Sequence, residues 1–225
     1  MPIILALDTS TKNCSVALFN NNKIIALKEQ NSEAYSHAEQ LTLFIEEVIE
    51  LANLQLNQIQ AVAISKGPGS YTGLRIGTST AKGLCYSLDI PLISISTLKA
   101  MAFGMVKDQY AKFYCPMIDA RRMEVFSAVY DFKNNEVRQI QADVVDKKTY
   151  VKFLESQVIF FGDGALKCKQ IINDKNAIFI EEIYPTAKNL GELAYAKFMS
   201  KDFEDVAYFE PFYLKNFISG NKNTS

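Results

Sequence analysis

The sequence predicts an α/β protein made of two halves, each a mixed β-sheet flanked by helices. Three short apolar segments open the chain and include a hairpin, after which strands and helices alternate up to about residue 106. A second series of segments then repeats a similar order. We therefore predict two subdomains, residues 1–105 and 106–225, with the last long helix packing back on the first half.

The strands of the first half are predicted from apolar runs bounded by turn residues. Residues 3–7 form an uninterrupted apolar run, which is typical of a buried strand. Three asparagines at 20–22 separate the next two strand-like segments, and asparagine tolerates the positive φ angles of a hairpin turn. The other elements predicted in this half are strands at 15–19, 23–28, 61–65 and 91–95 and helices at 36–52, from about 72 to 87 and at 97–106.

The second half is predicted from the same signals. A hairpin is centred on Lys133, Asn134 and Asn135, and a buried strand ends at a Gly-Asp-Gly segment. The predicted strands lie at 113–118, 124–131, 136–142, 158–161 and 177–180. The predicted helices lie at 149–155, from 165 to about 172 and at 186–199.

The helix at 36–52 carries an apolar stripe. Ser36 with Glu39 three residues later forms a capping box, which predicts that the helix begins here. Ala38, Leu41, Ile45, Val48 and Ala52 follow 3-4-3-4 spacing, and Phe44 and Leu51 broaden this stripe on one side. Such a stripe usually faces the protein's own sheet, but both faces of this helix are partly apolar, so it could also suit a partner helix.

Composition and charge exclude several classes of protein. Apolar residues make up 48% of the chain, enough for a sizeable core, and the net charge is −1. A domain that binds nucleic acid alone usually has a basic excess, so we expect any action on RNA to use a partner's charge. No apolar run approaches the ~20 residues that span a bilayer, and the first run is too short for a signal peptide.

The cysteines and the single histidine argue against disulfides and zinc. The four cysteines form no Cys-x-x-Cys pair, and we expect them to be reduced core thiols in a cytoplasmic protein. They are Cys14, Cys85, Cys115 and Cys168. His37 is the only histidine of the sequence, so no metal site is expected.

A glycine-rich loop follows the strand predicted at 61–65. Backbone N–H groups between a strand and a helix could hold a phosphate, and the residues concerned are Gly67, Gly69, Ser70, Thr72 and Gly73. The loop is neither a Walker A motif, which ends in Gly-Lys-Ser/Thr, nor the dinucleotide fingerprint, whose glycine spacing differs. The alternative is a tight turn that lets strand and helix pack closely.

Asp8 and Thr9 follow the first predicted strand. A carboxylate beside hydroxyl groups at a strand end could bind Mg²⁺ or phosphate, so we place both residues with the glycine-rich loop in a candidate nucleotide site. The alternative is that the two side chains close a local turn through hydrogen bonds to the backbone.

Charged residues of the second half form a candidate cleft. Asp119, Arg121, Arg122 and Glu124 could bind a carboxylate or phosphate through the arginines, or form an ion-paired loop of modest energetic value. The segment that includes Gly162 and Asp163 could approach a ligand closely, or it could be a strand-to-helix turn capped by the aspartate.

Several segments together resemble the TsaB (YeaZ-type) family. The likeness covers most of the chain, is densest over residues 1–101 and thins towards the C-terminus. In the first half it lies in Ile4-Leu5-Ala6-Leu7-Asp8-Thr9-Ser10, Ser36-His37-Ala38-Glu39-Gln40-Leu41 and Lys66-Gly67-Pro68-Gly69-Ser70-Tyr71-Thr72-Gly73-Leu74-Arg75-Ile76-Gly77. In the second half it lies in Asp119-Ala120-Arg121-Arg122-Met123-Glu124-Val125 and Gly162-Asp163-Gly164.

The resemblance implies a fold and a role. The fold is the actin-like ATPase fold that sugar kinases and the heat-shock chaperone ATPase share. The role is cytoplasmic: modification of the tRNA adenosine beside the anticodon, in which a longer relative, TsaD, performs the transfer. In TsaD two histidines four residues apart bind a metal, whereas Thr97 and Met101 occupy the matching positions here. A hydroxyl and a thioether cannot replace two imidazoles, so we expect no catalytic residue and no metal.

The resemblance also implies partners. Family members pair through helices of the first half, with themselves or with TsaD, and we carry this over to Ala38, Leu41, Phe44, Ile45 and Val48. A TsaE-like ATPase completes the complex, and tRNA is reached indirectly through it. We expect no cofactor bound to this chain, although ATP could act in the assembled complex.

Two enzymatic alternatives make different demands on the residues of this chain. A small-molecule kinase or ATPase of this fold would need phosphate loops, a carboxylate for Mg²⁺ and a base, which Asp8, the glycine-rich loop, Asp119 and Gly162 could supply crudely. A metallopeptidase would need a set of metal ligands, and one histidine without paired cysteines does not provide it.

Overall fold

The structure is a computed structural model that describes residues 2–31, 37–108 and 110–215. The predicted N-cap Ser36 lies outside these residues. The strands are β1 Ile3–Asp8, β2 Asn13–Asn20, β3 Lys23–Asn31, β4 Ala61–Ser65, β5 Leu92–Ile95, β6 Phe113–Asp119, β7 Glu124–Asp131, β8 Glu136–Val144, β9 Val158–Phe161 and β10 Ala177–Ile180. The helices are α1 His37–Leu51, α2 Tyr71–Leu88, α3 Thr97–Asp108, α4 Ala165–Cys168 and α5 Gly191–Ser200, with short 3-10 helices at Leu56–Gln58 and Ala187–Asn189.

The strands form two sheets with the same topology. The first has the order β3-β2-β1-β4-β5 and the second the order β10-β9-β6-β7-β8. In each sheet the first three strands form an antiparallel meander. Two further strands, parallel to the first strand of the meander, extend the sheet beyond that strand. The predicted architecture of two α/β halves with mixed sheets is therefore confirmed.

Strand β1 shows how the first sheet builds two cores. Because successive side chains point to opposite faces of a sheet, Leu5 and Leu7 pack under α1 and α2, whereas Ile4 and Ala6 pack against α5 and the 3-10 helix before it. Strand β1 is thus buried on both faces, as the uninterrupted apolar run predicts.

Helices cross between the two halves. Helix α3 follows the first sheet in sequence but packs on the second, where Leu98 and Met101 join the core over β6. Helix α5 follows the second sheet but lies on the first, where Ala194 is fully buried. The predicted boundary at residue 105 falls inside α3 and stays a prediction.

Three predicted helices differ from those observed. Residues 147–155 form successive turns, and the helix predicted from 165 to 172 ends at Cys168. The last helix is interrupted after a 3-10 turn and restarts at Gly191, whose Cα lies against the ring of Phe19. The helix is interrupted because it packs closely on the first sheet, and the 3.6-residue periodicity of the sequence does not predict this interruption.

Residues 203–215, which we call the C-terminal strap, run over the first half after α5. Glu204 pairs with Leu92 at the edge strand β5, and Phe209 enters the core beneath α2. The N–H of Phe212 donates to the carbonyl of Lys66 at 2.8 Å. The strap covers one edge of the sheet, which would otherwise offer unpaired backbone groups.

The remaining sequence predictions concern cysteines and membranes. All four cysteines are free and buried, as predicted, and burial raises the pKa of Cys14 and Cys85 to about 12. Within the described ranges, no helix combines the length and the apolar character that crossing a bilayer requires.

Candidate functional site

The glycine-rich loop packs directly against the loop that follows β1. Strands β1 and β4 are parallel neighbours, so the loops at their carboxyl ends meet. The N–H of Ser70 donates to the carbonyl of Ser10 at 2.6 Å, and the hydroxyl of Thr9 donates to the carbonyl of Gly73 at 2.7 Å. The loop after β1 and the glycine-rich loop, which were both candidates for nucleotide binding, are therefore hydrogen-bonded to each other.

The glycines are explained by this contact. A Cβ at Gly73 would lie 2.0 Å from the carbonyl oxygen of Thr9, and one at Gly69 would lie 2.3 Å from that of Ser10. Gly67 has φ of +110° and lies against the carbonyl of Phe212 in the strap. This geometry favours the close-packing interpretation, while phosphate binding by the loop, including the exposed Thr72, stays a prediction.

Asp8 is fully buried beneath these loops. Its Oδ1 accepts hydrogen bonds from the N–H of Ser10 at 2.9 Å and from the hydroxyl of Ser10 at 2.6 Å. Its Oδ2 has no hydrogen-bond partner among the described residues. Burial raises the pKa of this carboxyl above its usual value, and binding of Mg²⁺ or phosphate by Asp8 stays a prediction.

Core side chains fill the two positions that the resemblance matches to metal-binding histidines. Thr97 is fully buried and shares a hydrogen bond of 2.9 Å with the hydroxyl of Ser65. Met101 is buried in the core that α3 forms with the second sheet, and its Cε lies close to Gly162. These residues do not fit a divalent metal, because neither side chain supplies a nitrogen or a carboxylate oxygen.

The charged residues after β6 form one interconnected turn. The N–H of Arg121 donates to Oδ1 of Asp119 at 2.6 Å, and the N–H of Asp119 donates to Oδ1 of Asp163 at 2.9 Å. Burial raises the pKa of Asp163. The structure therefore brings the segments at 119–124 and 162–164 together and leaves both arginine side chains exposed, while ligand binding in this cleft stays a prediction.

Lys167 organises this turn, and the sequence analysis did not identify it. Its Nζ donates to Oδ1 of Asp119 and to the carbonyls of Arg122 and Glu124, each at 2.7 Å. A lysine in a helix of four residues gives no distinctive sequence signal. Only the packing of α4 beside β6 shows what it contacts.

The predicted contact stripe of α1 mostly faces the protein's own core. Leu41 and Val48 are fully buried and Phe44 is 8% exposed, and all three pack over the first sheet. They cannot contact a partner while the chain is folded, so the interface prediction is wrong for them. Ile45 is also a core residue but lines the edge of a surface groove, and Ala38 is exposed.

That groove lies between α1 and α2 and has a volume of about 540 Å³. We call it the α1–α2 groove. Its floor is apolar, with Ile49, Leu54 and Leu84, and its rim is polar, with Glu46 and Glu50. An apolar groove with a polar rim is typical of a site that receives a helix.

Gly83 lies in the C-terminal half of α2, next to Leu84 of the groove. It is exposed, and a Cβ there would meet nothing within 4 Å. An exposed glycine in a helix destabilises the helix by about 1 kcal/mol relative to alanine. Folding of the chain alone does not explain it, whereas close approach of another backbone would.

Comparisons with known proteins agree with this fold. The family described as TsaD, tRNA N6-adenosine threonylcarbamoyltransferase, matches residues 30–217. The tRNA threonylcarbamoyladenosine biosynthesis protein TsaB of Haemophilus influenzae is 32% identical, over 97% of this chain and 96% of its own length.

Two solved structures share the architecture. YeaZ from Pseudomonas aeruginosa superposes with a TM-score of 0.85 at 24% identity, covering 95% of this chain and 100% of its own. The ethanolamine utilization protein EutJ from Carboxydothermus hydrogenoformans superposes with a TM-score of 0.53 at 11% identity, covering 87% and 90%. The fold is the actin-like ATPase fold that the resemblance implies.

Proposed function

Because the chain belongs to the TsaB family, we propose that it is the non-catalytic dimerisation subunit of a complex that forms N6-threonylcarbamoyladenosine in tRNA. It binds a TsaD-like transferase and enables that partner's chemistry beside the anticodon. A TsaE-like ATPase belongs to the same complex and uses ATP there, and tRNA is reached through the assembly. The same surface also allows pairing of two copies of this chain.

The chemistry of the buried site supports a role without catalysis. Thr97 and Met101 are packed in the core where a transferase would need metal ligands. Asp8 is fully buried, and Ser10 donates two hydrogen bonds to one of its carboxylate oxygens. A chain of this kind contributes a surface to the reaction and leaves the bond-making steps to its partner.

The α1–α2 groove is the observation that carries the proposal. Its apolar floor would be covered by apolar side chains of a partner helix, and the carboxylates of Glu46 and Glu50 favour basic residues at that helix's edge. Gly83 leaves the backbone of α2 open to close approach. We therefore move the predicted interface from the buried stripe of α1 to this groove.

The test is co-elution with a TsaD-like transferase on a sizing column. Gly83→Glu adds a charged side chain to the exposed surface of α2, next to Leu84 of the groove, and its Cβ meets nothing inside the chain. We therefore expect this variant to fold normally and to elute separately from the partner. Ala196→Glu is the matched control, because Ala196 is exposed. It lies on α5, the helix that packs on the face of the first sheet opposite to α1 and α2. The proposal fails if Gly83→Glu co-elutes as the unmodified chain does.

A further inference from the structure

The turn between β6 and β7 holds two arginines in a backbone conformation that arginine rarely adopts. The φ angle is +70° at Arg121 and +49° at Arg122. Glycine, asparagine and aspartate are the residues usually found in this left-handed region. Such outliers persist where the surrounding structure imposes them, and they concentrate at functional sites.

The surrounding structure imposes this conformation through Lys167. Its ammonium group donates to the carbonyls of Arg122 and Glu124 and to the carboxylate of Asp119, which also accepts from the N–H of Arg121. The turn is therefore anchored at both ends by a lysine that is only 20% exposed. A rigid turn presents its side chains in a fixed arrangement, which lowers the entropy lost on binding.

Each acidic side chain around the turn already has an ion-pair or hydrogen-bond partner within the chain. Asp119 pairs with Lys167, Glu124 contacts Lys215 of the strap, and Asp163 accepts the N–H of Asp119 while burial raises its pKa. Neither guanidinium group of Arg121 and Arg122 has an ion pair or hydrogen bond within the described part of the chain. Two exposed positive charges are thus left for an external anion.

We propose that Arg121 and Arg122 form a phosphate-binding site for the tRNA backbone. The inference rests on the proposed function and deepens it, because the chain would then touch the RNA directly and would not act through the partner alone. Arginine binds phosphate oxygens through two parallel hydrogen bonds, and adjacent arginines suit the repeated charges of one strand. The net charge of −1 means that this contact adds to the partner's binding surface and does not replace it.

The experiment measures binding of substrate tRNA to the complex of this chain with a TsaD-like transferase over a range of salt concentrations. R121N/R122N removes both charges, and asparagine adopts the left-handed conformation more readily than arginine, so the turn is kept. We expect about tenfold weaker binding at low salt and a plot of log K against log salt that is shallower by about 1.4–1.8. R121K/R122K keeps the charges and is expected to keep the slope.

The control is K147Q/K148Q, which removes two exposed charges from the same half. The proposal is overturned if R121N/R122N keeps the slope of the unmodified chain. It is also overturned if K147Q/K148Q weakens tRNA binding as much as R121N/R122N does. It is also overturned if inorganic phosphate or ATP binds the chain through these arginines while tRNA binding is unaffected by R121N/R122N. Co-elution with the transferase reports separately on the proposed function, since R121N/R122N leaves the α1–α2 groove intact.

Discussion

At Asp8, burial and hydrogen bonding act in opposite directions on one carboxyl group. Burial dominates and raises the pKa above the usual value, although Ser10 donates two hydrogen bonds. An acid with a raised pKa in the folded state binds more protons folded than unfolded. Its contribution to stability is therefore complete below the unfolded pKa and is lost as the pH rises through the folded value.

This predicts a pH-dependent difference between the protein and Asp8→Asn. The amide keeps an acceptor for Ser10 but does not titrate, so we expect the stability of the variant relative to the unmodified chain to increase from about pH 4 upwards. Urea unfolding at a series of pH values measures it. A difference that is constant with pH would mean that Asp8 titrates alike in the folded and unfolded chain.

Gly73 and Gly83 lie in the same helix, and we expect alanine substitutions at the two positions to have opposite effects on stability. Gly73→Ala would place a Cβ against the backbone carbonyl of Thr9, and we expect a loss of about 1–3 kcal/mol in the free energy of unfolding. Gly83→Ala meets nothing, and we expect a gain of about 0.5–1 kcal/mol from helix propensity. Thermal unfolding of the isolated chain tests both, and equal effects of the two substitutions would contradict the packing role of the loop.

At the scale of the element, α1 shows what periodicity predicts. The spacing of its apolar residues correctly predicts a helix from His37 and an amphipathic face. It does not show whether that face meets the chain's own sheet or a partner, because both environments select the same residues. The structure decides for the sheet and leaves Leu43 on the outside, 50% exposed.

The prediction for α1 compares two leucines on its opposite faces. Leu41→Ala removes a fully buried side chain and is expected to lower the free energy of unfolding by about 2–5 kcal/mol. Leu43→Ala is expected to change it by less than about 1 kcal/mol. Chemical denaturation measures both. If Leu41→Ala were as mild as Leu43→Ala, the buried stripe would not be part of the core.

The sequence also predicted most other elements, and the failures share a cause. Strands at 61–65, 124–131, 158–161 and 177–180 have the predicted bounds, because apolar runs between turn residues are local signals. The strap at 203–215 and the role of Lys167 depend on contacts with residues far away in sequence. The candidate cleft residues were identified as a group, but the backbone strain of Arg121 and Arg122 has no sequence signature.

For the whole molecule, the crossing of α3 and α5 makes the two halves depend on each other. A fragment of residues 1–105 would lack α5, which covers one face of the first sheet. A fragment of residues 106–225 would lack most of α3, which covers one face of the second sheet. We expect neither fragment, 1–105 or 106–225, to fold alone. Dispersed NMR amide signals from an isolated fragment would contradict this, and the full chain is the matched control.

The central claim is that this chain enables a TsaD-like transferase through the α1–α2 groove. The most direct test is a threonylcarbamoyl-transfer assay on tRNA with TsaD-like and TsaE-like partners and the activated threonine intermediate. The account predicts transfer only when this chain is added, retained activity with Ala196→Glu and lost activity with Gly83→Glu. Transfer by this chain alone, or full activity of the partners without it, would contradict the account.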